Sequence, residues 1–170
     1  MSNINDGLRL KGQLTILLNG NIVQEVDNLV VTAGKEFVAA SILKTTSNSP
    51  AAMTHMAIGS GTNNPAAGDT TLQTELGRVT LATPSASGAV ATYVGTFPAG
   101  TGTGAVTEAG ILNASSGGTL LCRTEFNVGN KGASDAMTIT WTVTVSYSKG
   151  GRRVWPVNLP IMQGLPFRGV

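Results

Sequence analysis

The run Met137-Thr138-Ile139-Thr140-Trp141-Thr142-Val143-Thr144-Val145-Ser146-Tyr147 constrains the fold more than any other part of the chain. Its odd positions are apolar or aromatic and its even positions all carry a hydroxyl. An extended backbone therefore turns one apolar face away from one polar face. A helix would scatter both sets around its circumference. Thr is β-branched and fits a pleated surface on either side, so the polar face is still strand-competent. Such a strand needs a second layer over its apolar side, with Ile139, Trp141 and Val143 in the core.

The rest of the chain supplies partners of the same kind. Leu8, Leu10, Leu14, Ile16 and Leu18 share one parity, and Asn19-Gly20 then gives a strong hairpin signal before a return strand to Val31. Further strands are expected at 53–58, from Gly77 to Thr83, at 90–97, 105–112 and 119–128. Glycine-rich turns separate them, including Gly100 to Gly104, Gly117-Gly118 and Gly129-Asn130-Lys131-Gly132. One helix is expected at about 34–44, capped by Thr32, with Phe37, Val38 and Ile42 on its apolar stripe. Asp69 or Thr70 offers the cap of a short helical turn holding Leu72, Glu75 and Leu76. With no βαβ rhythm, the expected class is all-β: an antiparallel β-sandwich, jelly-roll-like, with one short helix.

Two regions differ in character. All nine acidic and seven of the 11 basic side chains precede Lys149. Lys149, Arg152, Arg153 and Arg168 follow, with no acid among them. The stretch after Lys149 also holds Trp155, Pro156, Leu159, Pro160, Met162, Pro166 and Phe167. Its prolines exclude a long helix or a central strand, yet it is too apolar for a solvated tail. The expected organisation is a β-sandwich over 1–148 and an extended arm over 149–170. Arg152, Arg153, Trp155, Pro156, Leu159, Pro160, Met162, Phe167 and Arg168 are its candidate interface residues. Four charges over this stretch, without stacking aromatics in series, do not make a nucleic-acid footprint. The N-terminus carries no secretory pattern and no apolar run could span a bilayer, so the expectation is a soluble product of a cytoplasm.

Candidate chemistry is sparse. One Cys and one His cannot build a zinc or iron–sulfur site, and no metal or other cofactor is expected. His55 with Asp69 lacks a marked nucleophile, since Gly59-Ser60-Gly61 does not have nucleophile-elbow spacing. Gly100 to Gly104 lacks the Lys-Ser or Lys-Thr of a phosphate loop, and Gly34-Lys35 lacks the upstream glycines. Cys122 reads as a strand thiol. The nine acids are scattered, and aromatics make up only 5% of the chain, few for a glycosidase or a carbohydrate-binding module. The expectation is a non-enzymatic protein without a small-molecule substrate.

Several pieces, taken in order, carry a family resemblance: Asn28 to Lys35, Met56-Ala57-Ile58-Gly59-Ser60-Gly61, Asp69 to Arg78, Thr107 to Asn113, Gly117 to Phe126, and Thr138 to Val143. Together they resemble a pattern in virion structural proteins of tailed bacteriophages. The resemblance spans roughly 28–145 and leaves the arm outside it. It implies a virion protein made in the host cytoplasm that works through contacts with copies of itself, a trimer being one arrangement, and with capsid or tail proteins. A capsid decoration or cement protein is the first reading, a tail, baseplate or fibre-attachment protein the second, and a carbohydrate-binding module the third. Within the matching pieces two ion pairs are expected to maintain the fold. Glu75 and Arg78 would meet across a helical turn or reach neighbouring strands. Glu108 and Arg123 would sit opposite one another on adjacent strands.

Overall fold

A computed structural model describes residues 6–43 and 49–149. Nine strands and one helix occur in chain order: β1 (Asp6–Leu18), β2 (Asn21–Val30), α1 (Thr32–Leu43), β3 (His55–Gly59), β4 (Glu75–Thr80), β5 (Ser85–Ser87), β6 (Val90–Phe97), β7 (Gly104–Leu112), β8 (Leu120–Lys131) and β9 (Met137–Lys149). The class is all-β with one short helix, as expected. Lys149, the first residue of the expected arm, ends β9; the rest of the arm and all nine of its candidate interface residues lie outside the described residues.

Every ladder is antiparallel, and the strands form one sheet in the order β4-β3-β7-β8-β2-β1-β9-β6-β5. The pairing is nested: first strand with last, second with eighth, third with seventh. The sheet curls until its far parts meet, where the Ala82 amide donates to the Val94 carbonyl at 2.9 Å. Its two halves then face each other across one apolar interior. Leu14, Ile16, Phe97, Met137, Ile139 and Trp141 come from one half; Met56, Ile58, Val106, Ile111 and Phe126 come from the other. Trp141 is fully buried, with Ile139 and Val143 beside it on β9.

The β1–β2 hairpin turns on Asn19 and Gly20, both at positive φ (50° and 82°), which matches the right-handed twist of the strands it joins. Asn19 also reaches across the fold. Its Nδ2 donates to Asp135 Oδ1 at 2.9 Å and its Oδ1 accepts from the Ala136 amide at 3.0 Å. The Asn19 bond comes first in holding the Asp135 carboxyl below its ordinary value, followed by the Gly132 amide.

Three local expectations need correction, and one strand is added. The turn does not start at Gly129: β8 runs on through the buried Lys131, and the turn opens at Gly132, whose carbonyl accepts from the Asp135 amide at 3.1 Å. Lys131 Nζ donates to the carbonyls of Pro98 and Asp135 at 2.9 and 2.7 Å, tying two turns together. No helical turn follows Asp69, because the polar groups there bond to distant partners instead. Ile42 of α1 does not face the core and is 71% exposed, whereas Phe37 and Val38 pack against it. Ser85–Ser87 forms a short edge strand that no apolar alternation in the sequence marks.

Trp141→Ala is expected to lower the unfolding free energy by about 3–5 kcal/mol in urea titrations, because the side chain fills the middle of the interior. A loss below about 1 kcal/mol would mean that the interior collapses around the gap.

Candidate functional site: a loop platform on a buried ion network

The strand β7 is buried on both faces. Its inward side chains, Ala109 and Ile111, join the main interior. Its other face carries Glu108, Gly110 and Leu112, all buried beneath the long connection between β3 and β4. There Leu72 packs with Val31, Ala57, Leu112 and Leu120 in a second, smaller apolar cluster. The outer face of β3, β7 and β8 is thus roofed by residues 60–74.

A single carboxylate holds the roof. Glu108 is fully buried and its two oxygens accept four hydrogen bonds. Oε1 takes the amides of Gly61 at 3.0 Å and Thr74 at 2.7 Å. Oε2 takes the Gln73 amide at 3.0 Å and Arg123 Nε at 2.8 Å. Both feet of the loop therefore end on one side chain. Burial by itself would raise the Glu108 carboxyl. The amides of Thr74, Gln73 and Gly61 together with Arg123 outweigh it and hold the group below its ordinary value. Gly61 is required by this approach, since a Cβ there would lie 2.5 Å from Glu108 Oε1.

Arg123 extends the network into the loop. Nη1 donates to Asp69 Oδ2 at 2.9 Å and Nη2 to the Asn63 carbonyl at 3.1 Å. Burial would lower the Arg123 pKa, but the bonds to Glu108 and Asp69 raise it. Asp69 Oδ2 also accepts the Ala66 amide at 2.9 Å, and Gln73 Oε1 accepts the amides of Thr62 and Asn63 at 2.9 and 3.0 Å. Thr107 Oγ1 donates to the Gly61 carbonyl at 2.6 Å, and the Thr32 amide at the start of α1 donates to the Ala67 carbonyl at 2.8 Å.

The expected Glu108–Arg123 pair forms, but not by direct opposition. Glu108 lies across from Glu125, and Arg123 lies across from Gly110. The two side chains meet on the diagonal, over the glycine. Glu75 and Arg78 also pair, on a strand rather than a helical turn. Ile58 aligns with Gly77 and Gly59 with Glu75, so Leu76 is an extra residue in β4. That bulge brings residues three apart to one side. Arg78 Nε and Nη2 then grip Glu75 at 2.9 and 2.6 Å, while Nη1 donates to the carbonyls of Ala114 and Gly117. Each arginine fastens one loop: Arg123 fastens 60–74, and Arg78 fastens the turn after β7.

The other candidates stay apart from this network. His55 bonds to Thr54 Oγ1 at 2.8 Å and contacts Thr80, while Asp69 belongs to Arg123. Cys122 is fully buried, and that burial raises its thiol well above the ordinary value. Among the described residues no group of three or more His, Cys, Asp or Glu could hold a metal ion, and no helix is long and apolar enough to cross a membrane. Sequence reasoning missed Gln73, Asn63, Thr107 and the role of Asp69. Their only signal was a density of hydrogen-bonding side chains in a loop. Above the network lies a shallow polar cleft of about 380 Å³, with Asn63, Asn64, Thr70 and Thr71 among its walls and Arg123 at its base.

No protein-family model, curated protein or solved structure matches the chain.

Glu108→Gln is expected to cost about 3–5 kcal/mol, because it leaves Arg123 with Asp69 as its one remaining counter-charge and gives the loop amides a neutral group with one acceptor oxygen in place of two. In the parent protein the folded Glu108 pKa is depressed, so its stabilisation is present above the ordinary carboxylate value of 4.5 and lost as pH falls through the folded value. Urea midpoints measured from pH 6 to pH 3 should fall more steeply for the parent than for Glu108→Gln. Parallel curves would contradict this assignment.

Proposed function

We propose that the chain is a non-enzymatic structural protein of a tailed-phage virion, and specifically a capsid decoration protein that stabilises the head through contacts between subunits. One observation carries this reading. The sequence pieces behind the resemblance, from Gly59-Ser60-Gly61 through Asp69–Arg78 and Thr107–Asn113 to Leu120–Phe126, converge on a single place in the fold. Asp69, Glu75, Arg78, Glu108 and Arg123 among them are spent on one another and on the backbone amides and carbonyls of the loops.

The product of that convergence is a held surface. Thr62, Asn63, Asn64, Ala66, Ala67, Gly68, Thr70 and Thr71 are exposed on a backbone pinned from beneath. Small side chains on a fixed backbone lose little conformational entropy when another protein covers them. Weak charge also suits dense packing of many identical copies, because it limits repulsion between neighbours. The apolar segment from Leu159 onward supplies further contact surface, with Leu159, Pro160, Met162 and Phe167 as its anchors and Arg168 beside them.

Imaging of the particle that carries the chain tests the proposal. Density for the protein is expected at repeated positions over the head lattice, in hundreds of copies. A few copies at the tail or baseplate would replace this reading with tail attachment, and absence from the particle would reject both. A chain ending at Asn158 should remain folded and bind undecorated heads at least tenfold more weakly; undiminished binding would remove the anchors from the account.

A further inference from the structure

Among the described residues, 6–11 of β1 pair with β9 alone, because the β1–β2 ladder begins at Gly12 opposite Asn28. On the other side of β9, the β6 ladder ends at Val90 opposite Thr144. The Val145 amide still donates to the Ala89 carbonyl at 2.8 Å, so it is Asp6–Arg9 and Ser146–Lys149 that project beyond the sheet as a two-stranded ribbon. Such a ribbon is marginal in water unless one face is covered.

The faces of this ribbon and of its base are unlike. Leu8, Leu10 and Val145 continue the apolar side that forms the interior further along, whereas Arg9, Lys11 and Ser146 share the other side. The helix α1 flanks the apolar side without closing it. A groove of about 240 Å³ remains between them, lined by Leu8, Leu10, Lys35, Val38, Ala39 and Ile42. Leu8 is 65% exposed, Ile42 71% and Val145 39%.

We propose that residues 152–157 of the same chain fold back over this groove and seat Val154, Trp155 and Val157 against it. The chain leaves β9 at Lys149, at the projecting tip, and the next two residues are Gly150-Gly151. A glycine pair suits a reversal. Counted back from that reversal, Val154 to Val157 return along the stretch of β9 that holds Val145 and faces Leu8 and Leu10. Arg152 and Arg153 then fall at the tip, at the register of Asp6, and outside the apolar groove. Pro156 prevents a full hydrogen-bonded ladder, but side-chain packing onto a face needs none. A segment tethered by two glycines has an effective concentration on the order of millimolar, which favours it over the same segment of a second copy in dilute solution. The covering role belongs to 152–157 and does not rest on the virion reading; partner contact is left to residues from Leu159 onward.

Disulfide trapping tests the inference. Leu8→Cys is combined in turn with Val154→Cys, Trp155→Cys, Pro156→Cys and Val157→Cys in the full chain, then oxidised at low micromolar concentration. Leu8 is exposed enough to tolerate the change, and the buried Cys122 thiol stays out of the exchange. At least one pair should close within a monomer that migrates faster without reductant. Covalent dimers in its place, or no disulfide at any pair, would overturn the proposal. Acrylamide quenching gives a second readout without new cysteines. Trp141 is buried, so quenching reports on Trp155. It should rise severalfold in the double variant Leu8→Asp with Ile42→Asp, and an unchanged value would count against the docking.

Discussion

The Glu108 carboxylate is the interaction on which the functional face of this protein depends. It is buried, ionised and saturated by three loop amides and one guanidinium. A buried charge of this kind is tolerated only when its hydrogen bonds are complete. The penalty for losing any of them gives the loop one arrangement. Residues 60–74, which hold no regular strand or helix, thereby acquire the definition of a core element. Leu72 can then bury itself on the outer face of β7, and a strand buried on both faces becomes possible at a place where a curled sheet would meet water.

That arrangement separates two tasks. The interior around Trp141 keeps the sheet curled and is built from alternation alone. The outer cluster and its ions hold a polar surface of small residues. We propose that this surface, with the apolar segment from Leu159 onward, is the means by which copies of the chain meet their neighbours on a virion. The same economy appears at Arg78 and Lys131, each of which fastens backbone carbonyls of turns instead of facing solvent.

Much of the fold was legible because alternation is a local signal. β9 reads directly from its hydroxyl and apolar rows, and the β1–β2 hairpin from Asn19-Gly20. The Glu108–Arg123 contact was also readable, although the expected register was displaced by two residues. A shift of two keeps every side chain on its face, so the partners still met, on the diagonal. A shift of one would have separated them. What stayed hidden was set by distant groups. The stretch after Asp69 looks like a capped helical turn, but Asp69 is taken by Arg123 and the amides of Gln73 and Thr74 by Glu108. Long-range bonds there displace local capping. Lys131 sits among glycines that signal a turn, and only the tertiary structure shows carbonyls waiting for its ammonium. The Gly59-Ser60-Gly61 pause was visible, whereas the carboxylate that approaches it was not.

Native-state hydrogen exchange at single residues addresses the central claim most directly. If Glu108 organises the loop, the amides of Gly61, Gln73 and Thr74 should exchange only in openings nearly as costly as those that release the central amides of β7. Exchange at those three positions as fast as at the exposed neighbours Thr70 and Thr71 would show that the carboxylate does not hold the loop, and the account would fail at its foundation.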